Sequence, residues 1–316
     1  VRWVVRAGDG ATVGDILRKI GASPEAVAEG RVFVGRVRMT RVDTRVAQGD
    51  EITVGVLPQQ RAEAPNRSDS IAIPILWQRD GLVACVKPAS IPSVADHVGG
   101  SHSLVALVAR QLAMSPDDLR VTSRLDREVS GVVLFATSAE AEARLRRARD
   151  EGRYVRRYVA IAEERVALAE SGTWAEPIGD GRTPRHRAAG GPNAKPAQTH
   201  WRRIARAGGF VLLAVAPVTG RTHQIRVHAS HAGCPLWGDR DYGGVSRVTL
   251  ESGRVIALSR IALHAARVCV PAGDSASATT TAVADAPIAA ELAQVWRDAG
   301  GSAEAWSAAI ECTVHS

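Results

Sequence analysis

The chain has 316 residues, 45% of them apolar, with 40 Lys and Arg against 33 Asp and Glu, a net charge of +7 and a pI near 9.8. That length allows one large domain, or a large and a small one, around a sizeable core. The cysteines, Cys85, Cys234, Cys269 and Cys312, are far apart with no C-x-x-C, which excludes a zinc ribbon and argues against a disulfide scaffold. No signal-peptide pattern opens the sequence and no apolar run reaches spanning length, so a soluble, cytoplasmic protein without membrane partners is expected.

Residues 1–57 read as a small module. In TVGDILRKIG, Val13, Ile16, Leu17 and Ile20 share one helical face, with Thr12 as N-cap and Gly21 as the stop. Ser23-Pro24 opens a second short helix. RVFVGRVRM alternates like a strand, and GDEITVGV like its partner after a Gly-Asp turn. Residues 58–70, PQQRAEAPNRSDS, are polar, proline-bearing and without apolar period, as a linker would be.

A second domain is expected over residues 71–316. ILWQRDGLVACVKP predicts a hairpin around Asp80-Gly81, SLVALVARQLAM a helix and SGVVLFA a strand. Ser138 caps the helix AEAEARLRRARDEG, and RRYVAIAEE returns as a strand. HWRRIARAGGFVLLAVAP is another hairpin, and THQIRVHASHAG a short helix capped by Thr222 and stopped by Gly233. SRIALHAARVCVP is a strand, and PIAAELAQVWRDAG closes with a helix. Hairpins with interspersed helices predict an α+β fold with a mixed, largely antiparallel sheet.

Basic residues cluster in RVFVGRVRMTRVDTR, in RLRRARDEGRYVRR, and in GRTPRHR followed by WRRIARAG. Separate basic stretches favour a polyanionic partner, nucleic acid ahead of membrane. Taken singly, Asp126 in SRLDREVSG reads as a turn residue paired with Arg124, and Tyr158 as a half-buried strand residue. His223, His228 and His231 raise the question of a metal. His223 lies on another side of the helix from His228 and His231, and arginines intervene, so no metal is expected.

In combination these segments say more. R-L-D-x-x-x-S-G-x-x-L-F-A, then R-x-Y-x-A one helix later, then P-x-T-G-R-T-H-Q-I-R-V-H, resemble the RNA pseudouridine synthases of the RluA type. LVACVKPAS, GCPLWGDRDYGG, LHAARVCVP and the proline-led terminal helix agree in order, so the resemblance runs from Ile71 to that helix. The first 57 residues more loosely resemble a small RNA-binding domain first described in a ribosomal protein of the small subunit.

The resemblance implies isomerisation of uridine in structured RNA, rRNA or tRNA, by a monomer that needs neither cofactor nor metal. The base–ribose C–N bond breaks and the base rejoins through carbon. Asp126 is then the carboxylate beside the sugar, and Arg226 its ion-pair partner, since a nearby guanidinium favours the ionised carboxylate. Arg221 is the second choice for that partner. Tyr158 stacks on uracil and can mediate proton removal, while Arg124 holds the flipped-out nucleotide or fills the gap it leaves. Arg221, Thr222, His223, Gln224, Leu263 and His264 are the further substrate-binding positions that the resemblance implies. Whether Asp126 attacks the anomeric carbon or removes a ribose proton stays open at this stage.

Ser123 stands where the family usually has histidine and Val129 where it usually has threonine. These departures bear on substrate handling more than on chemistry. They keep a second reading in view, a catalytically silent RNA-binding or ribosome-assembly factor of the same fold. In the small module, Arg31, Arg36, Arg38, Arg41 and Arg45 face a single acid, Asp43, an excess suited to binding phosphates. VFVGRV lacks the asparagine typical of that domain's turn.

Overall fold

The apolar periods of the sequence collapse into two separate units, Val1–Ile71 and Ala72–Ser316. The structure is a computed structural model that describes residues 2–35, 37–54, 71–95, 102–250, 253–273 and 280–314. The expected linker, 58–70, lies outside the described residues, as does Arg36.

The first unit runs β1 (Arg2–Val4), α1 (Val13–Lys19), α2 (Glu25–Ala28), β2 (Val32–Val34), β3 (Val37–Arg38) and β4 (Glu51–Val54), with an antiparallel sheet of order β1-β4-β2-β3. Thr12 caps α1 as expected: its hydroxyl accepts the Asp15 N–H while the Asp15 carboxylate accepts the N–H of Thr12. Val13, Ile16 and Leu17 then face Val32 and Ile52 in one buried cluster. RVFVGRVRM is not one strand. Gly35, at φ 58, turns the chain, and β2 and β3 pair across it, Val34 opposite Val37.

The second unit continues with β5 (Ile75–Arg79), β6 (Leu82–Lys87), α3 (Leu104–Gln111), β7 (Arg120–Val121), β8 (Ser130–Ala136), α4 (Ala139–Asp150), β9 (Val155–Glu163), β10 (Ser171–Trp174), β11 (Ile178–Asp180), β12 (Arg187–Ala189), β13 (Thr199–Ala207) and β14 (Phe210–Pro217). It ends with α5 (Gln224–His231), β15 (Arg247–Thr249), β16 (Val255–Ala257), β17 (Leu263–Pro271), β18 (Thr281–Asp285), α6 (Ala290–Asp298) and α7 (Ala303–Glu311). The fold is α+β. A ten-stranded sheet of order β10-β13-β14-β9-β17-β8-β6-β5, with β18 on β17 and β7 on β8, is antiparallel except where β17 meets β8.

The strands at its centre read as continuous apolar runs because both faces are covered. Along β9, Tyr158, Ala160 and Ala162 join one cluster while Val159 and Ile161 join the other, the alternation of a strand buried on two sides. The first cluster packs α3 and the start of α5; the second packs Trp237, Trp296 and Trp306. The Asp80-Gly81 hairpin forms with both residues at positive φ, 50 and 68, as a two-residue turn of that hand requires. The expected helix in PIAAELAQVWRDAG forms as α6, and a further helix that was not expected, α7, follows Gly300 and Gly301 with Ser302 as its cap. SRIA stays outside β17, which starts at Leu263.

The parallel β8–β17 pairing fixes one glycine. Gly131 has φ 121, and a β-carbon there would fall 2.2 Å from the Ala265 carbonyl oxygen. Gly131→Ala is therefore expected to destabilise the second unit by about 3 kcal/mol or more, measured by urea unfolding. A loss below about 0.5 kcal/mol would mean that the two strands separate without cost.

Candidate active site

Asp126 lies in the loop between β7 and β8, and that loop is pinned from behind. The Ser93 hydroxyl donates to the Leu125 carbonyl at 2.8 Å and accepts the Leu125 N–H at 3.0 Å. Lys87, fully buried at the end of β6, donates from Nζ to the carbonyls of Pro88, Ile91 and Arg127 at 3.0, 2.7 and 3.1 Å. Burial, with the charge of Arg260 nearby, brings the lysine down to about 7, against the pull of Asp126. The backbone on both sides of Asp126 is thus held by buried polar groups.

Arg226 comes from the first turns of α5 and meets Asp126 across 100 residues of sequence, Nη1 donating to Oδ2 at 3.0 Å. The same guanidinium forks onto Asp239, Nε to Oδ2 at 2.7 Å and Nη2 to Oδ1 at 2.8 Å, and touches Asp241 at 3.1 Å. Its carbon sits 4.8 Å from the centre of the Tyr242 ring, close enough for cation–π attraction. The Arg226 side chain is 5% exposed and that of Asp239 1%, whereas that of Asp241 is 70%. Burial works against the guanidinium's charge, but Asp239 and Asp126 outweigh it and hold Arg226 above its ordinary value.

Asp126 and Arg226 line a cavity of about 810 Å³ together with Tyr158, Leu263 and the exposed Arg124. Tyr158 reaches it from β9 and is itself buried, which raises its hydroxyl above the ordinary value. Arg149 and Arg156 line it as well. Arg156 donates from Nη2 to the carbonyls of Thr219 and Pro217 at 2.8 and 3.2 Å, holding the start of the loop that leads into α5. The cavity is of a size that takes a nucleotide.

The remaining sequence expectations divide. Arg221, Thr222 and His223 line the cavity. Arg221 donates from Nε to the Pro196 carbonyl at 2.9 Å, and Arg226 is the one that reaches Asp126. Thr222 is not the cap of α5: His223 occupies that position at φ 57, without a side-chain cap bond. Gln224 lines the cavity too, but both its donors and both its acceptor positions are taken inside the protein, by Gln198, Thr199, Thr219 and Arg221. It shapes the loop rather than offering bonds to a ligand. His264 is a correction. It follows Leu263 on β17 and therefore points to the opposite face, where Nδ1 meets the Ser130 hydroxyl at 2.7 Å away from the cavity lining. His228, the core histidine of α5, has both ring nitrogens engaged, with Thr199 and Glu176.

Sequence reasoning missed Asp239, Asp241 and Tyr242. They stand in GCPLWGDRDYGG, where two carboxylates and an aromatic fall within four residues. That density was the available signal, and only the fold brings it to Arg226.

Residues 81–231 match the family model for RNA pseudouridylate synthase. A ribosomal large subunit pseudouridine synthase D of Vibrio parahaemolyticus is 32% identical over 253 residues, 76% of this chain and 75% of that protein. An uncharacterized RNA pseudouridine synthase of Bacillus subtilis is 31% identical over 259 residues, 80% of each chain. Among solved structures, human RNA Pseudouridylate Synthase Domain Containing 1 superposes with a TM-score of 0.54 at 23% identity, over 69% of this chain and 84% of that one, which shows a shared fold.

The difference in burial between the two outer carboxylates sets their weights. Asp239→Ala leaves a buried guanidinium without its fork and is expected to cost about 3–5 kcal/mol of stability. Asp241→Ala, at an exposed pair, should cost under about 1 kcal/mol. Urea unfolding of the two variants checks this, and equal small losses would mean that Asp126 alone holds Arg226.

Proposed function

The chain belongs to the RNA pseudouridylate synthase family, and we propose that it isomerises a uridine of large-subunit ribosomal RNA with Asp126 as the reacting carboxylate. That it is an RNA pseudouridine synthase, an isomerase, follows from its family; the target and the residue roles are our reading. The observation that carries it is the Asp126–Arg226 pair at 3.0 Å inside a cavity walled by Tyr158. The target is drawn from the relatives named for the large ribosomal subunit.

The geometry supports the following sequence of events. The uridine leaves its stack and enters the cavity, and Tyr158 takes the face of the uracil. Asp126, accepting from Arg226 Nη1, acts as an anion at the sugar, either on the anomeric carbon or on a ribose proton. The N1–C1′ bond breaks, the detached uracil turns within the cavity, and C5 bonds to C1′ as the Asp126–C1′ bond breaks or, in the other branch, as Asp126 returns the proton to the ribose. The proton on C5 then leaves, with the Tyr158 hydroxyl as its carrier, and N1 ends protonated. Electrons balance without an oxidant or reductant. Arg226 is held by three carboxylates, so its position does not depend on the substrate. A catalytically silent RNA binder has no need of that arrangement.

In the small module Arg31 pairs with Glu29 and Arg41 with Asp43, while Arg38 and Arg45 are exposed on its surface. We take this surface as a phosphate-binding one.

Asp126→Asn should leave folding and RNA binding nearly intact while turnover falls far more than tenfold. Pseudouridine mapping on ribosomal RNA treated with wild type or variant measures this. Residual turnover within about tenfold of wild type, ~1.4 kcal/mol of barrier, would remove Asp126 from the chemistry.

Replacing Arg31, Arg38, Arg41 and Arg45 together by Ala should weaken RNA binding and leave the rate at saturating RNA close to wild type. Each arginine–phosphate pairing removed should flatten the slope of log affinity against log salt by roughly 0.7 to 0.9. An unchanged slope in filter binding would mean that the module touches no RNA.

A further inference from the structure

His223 enters α5 in the left-handed conformation, φ 57. Its Nδ1 lies 2.8 Å from the Tyr242 hydroxyl, with the two rings edge to face at 5.7 Å. That hydroxyl oxygen already accepts the backbone N–H of Arg187 at 3.0 Å. Tyr242 is steadied by His186, stacked on it at 4.4 Å and bonded through Nε2 to the Asp241 carbonyl at 2.9 Å. Among the described residues the proton of the Tyr242 hydroxyl has one acceptor in reach, Nδ1 of His223. A neutral imidazole that accepts at Nδ1 carries its proton on Nε2. Burial holds the ring below its ordinary value, in the neutral form, over the opposing pull of Asp126.

Nε2 of His223 is 3.9 Å from Oδ2 of Asp126, too far for a direct hydrogen bond. An N–H donor and a carboxylate acceptor therefore face the same small space. An oxygen about 2.8 Å from each atom fits there, and it must accept from one and donate to the other. A carbonyl has no proton to give, and a C–H neither gives nor takes usefully. A hydroxyl does both. Within a phosphodiester-linked nucleotide the free sugar hydroxyl is the 2′ one.

We infer that His223 Nε2–H and Asp126 together grip the 2′-hydroxyl of the bound nucleotide, making His223 the residue by which this site requires ribose over deoxyribose. The inference rests on the proposed function, since it takes the cavity as a nucleotide site. It assigns His223 no part in bond breaking: the histidine keeps its proton and orients the sugar against the carboxylate.

The test has two arms, both on the full chain. In the first, ¹⁵N-histidine NMR reads the tautomer directly: wild type should show His223 neutral with the proton on Nε2, and Tyr242→Phe, which keeps the ring and loses the hydroxyl, should shift it toward Nδ1–H. Titrating uridine 5′-monophosphate should move the Nε2 signal, and 2′-deoxyuridine 5′-monophosphate should move it much less at equal concentration. In the second, ribosomal RNA fragments carrying ribose or 2′-deoxyribose at the mapped uridine are compared as substrates. Wild type should prefer ribose by about tenfold or more, and His223→Asn, whose asparagine tolerates positive φ, should reduce that ratio several-fold. An Nδ1–H tautomer in wild type, equal responses to the two nucleotides, or an undiminished ratio in His223→Asn would each overturn the inference. If wild type modifies no RNA, the proposed function fails, while the tautomer and the nucleotide comparison still decide this one.

Discussion

One buried guanidinium organises the second unit's functional end. Arg226 carries a single charge into an interior that would reject it alone, and three carboxylates from two loops converge on it. Asp239 supplies the buried fork, which leaves Nη1 as the edge turned to Asp126. Removing either partner would strand the other charge out of water, so the loops of Asp126 and Asp239 and helix α5 are tied to one another by charge as well as by packing. The tie is directional, because a planar fork bound at two positions fixes where its third edge points.

The Asp126 loop is fixed from behind by a second polar set. Arg260, buried, donates from Nη2 to the Ser130 hydroxyl at 2.7 Å and to the Leu263 carbonyl at 3.0 Å, and from Nη1 to Glu291 at 2.6 Å. His264 meets the same Ser130 hydroxyl, and burial, with the charge of Arg260 beside it, brings that histidine down to about 4. A neutral imidazole beside the buried guanidinium of Arg260 avoids a second positive charge there. The Ser-Gly pair at the start of β8 thus has two separate physical roles. Ser130 joins this network, and Gly131 lets the β17 backbone approach closer than any side chain would permit.

Much of the fold could be read from the sequence because its causes are local. Thr12, Ser138 and Asp80-Gly81 announce helix starts and a hairpin through chemistry within a few residues. Asp126, Tyr158 and Arg226 were legible only through a resemblance, since a lone loop aspartate or strand tyrosine has an ordinary structural explanation. What escaped depends on tertiary placement. Asp239 and Asp241 acquire meaning when their loop folds onto α5. The cap at His223 defeats the Thr222 expectation because Gln224 turns its side chain back onto Thr219 and the Arg221 N–H, leaving the preceding residue in a left-handed corner. His264 was misplaced by one residue's alternation: its neighbour Leu263 faces the cavity, so it cannot.

The charge layout of the cavity suits a polyanion that enters only in part. Asp126 lines the cavity beside the Arg226 guanidinium, which Asp239 and Asp241 hold from outside the lining, while Arg124, Arg149, Arg156 and Arg221 stand among the other lining residues. A phosphate is attracted to the arginines and repelled from the carboxylates, whereas a ribose and its base carry no charge to oppose entry. On the function proposed above, the same field would sort the parts of a nucleic-acid strand, keeping phosphodiesters among the arginines and admitting the nucleoside to Asp126. Such sorting needs carboxylates that stay in place when the substrate arrives, and the fork between Arg226 and Asp239 meets that condition before any ligand is bound.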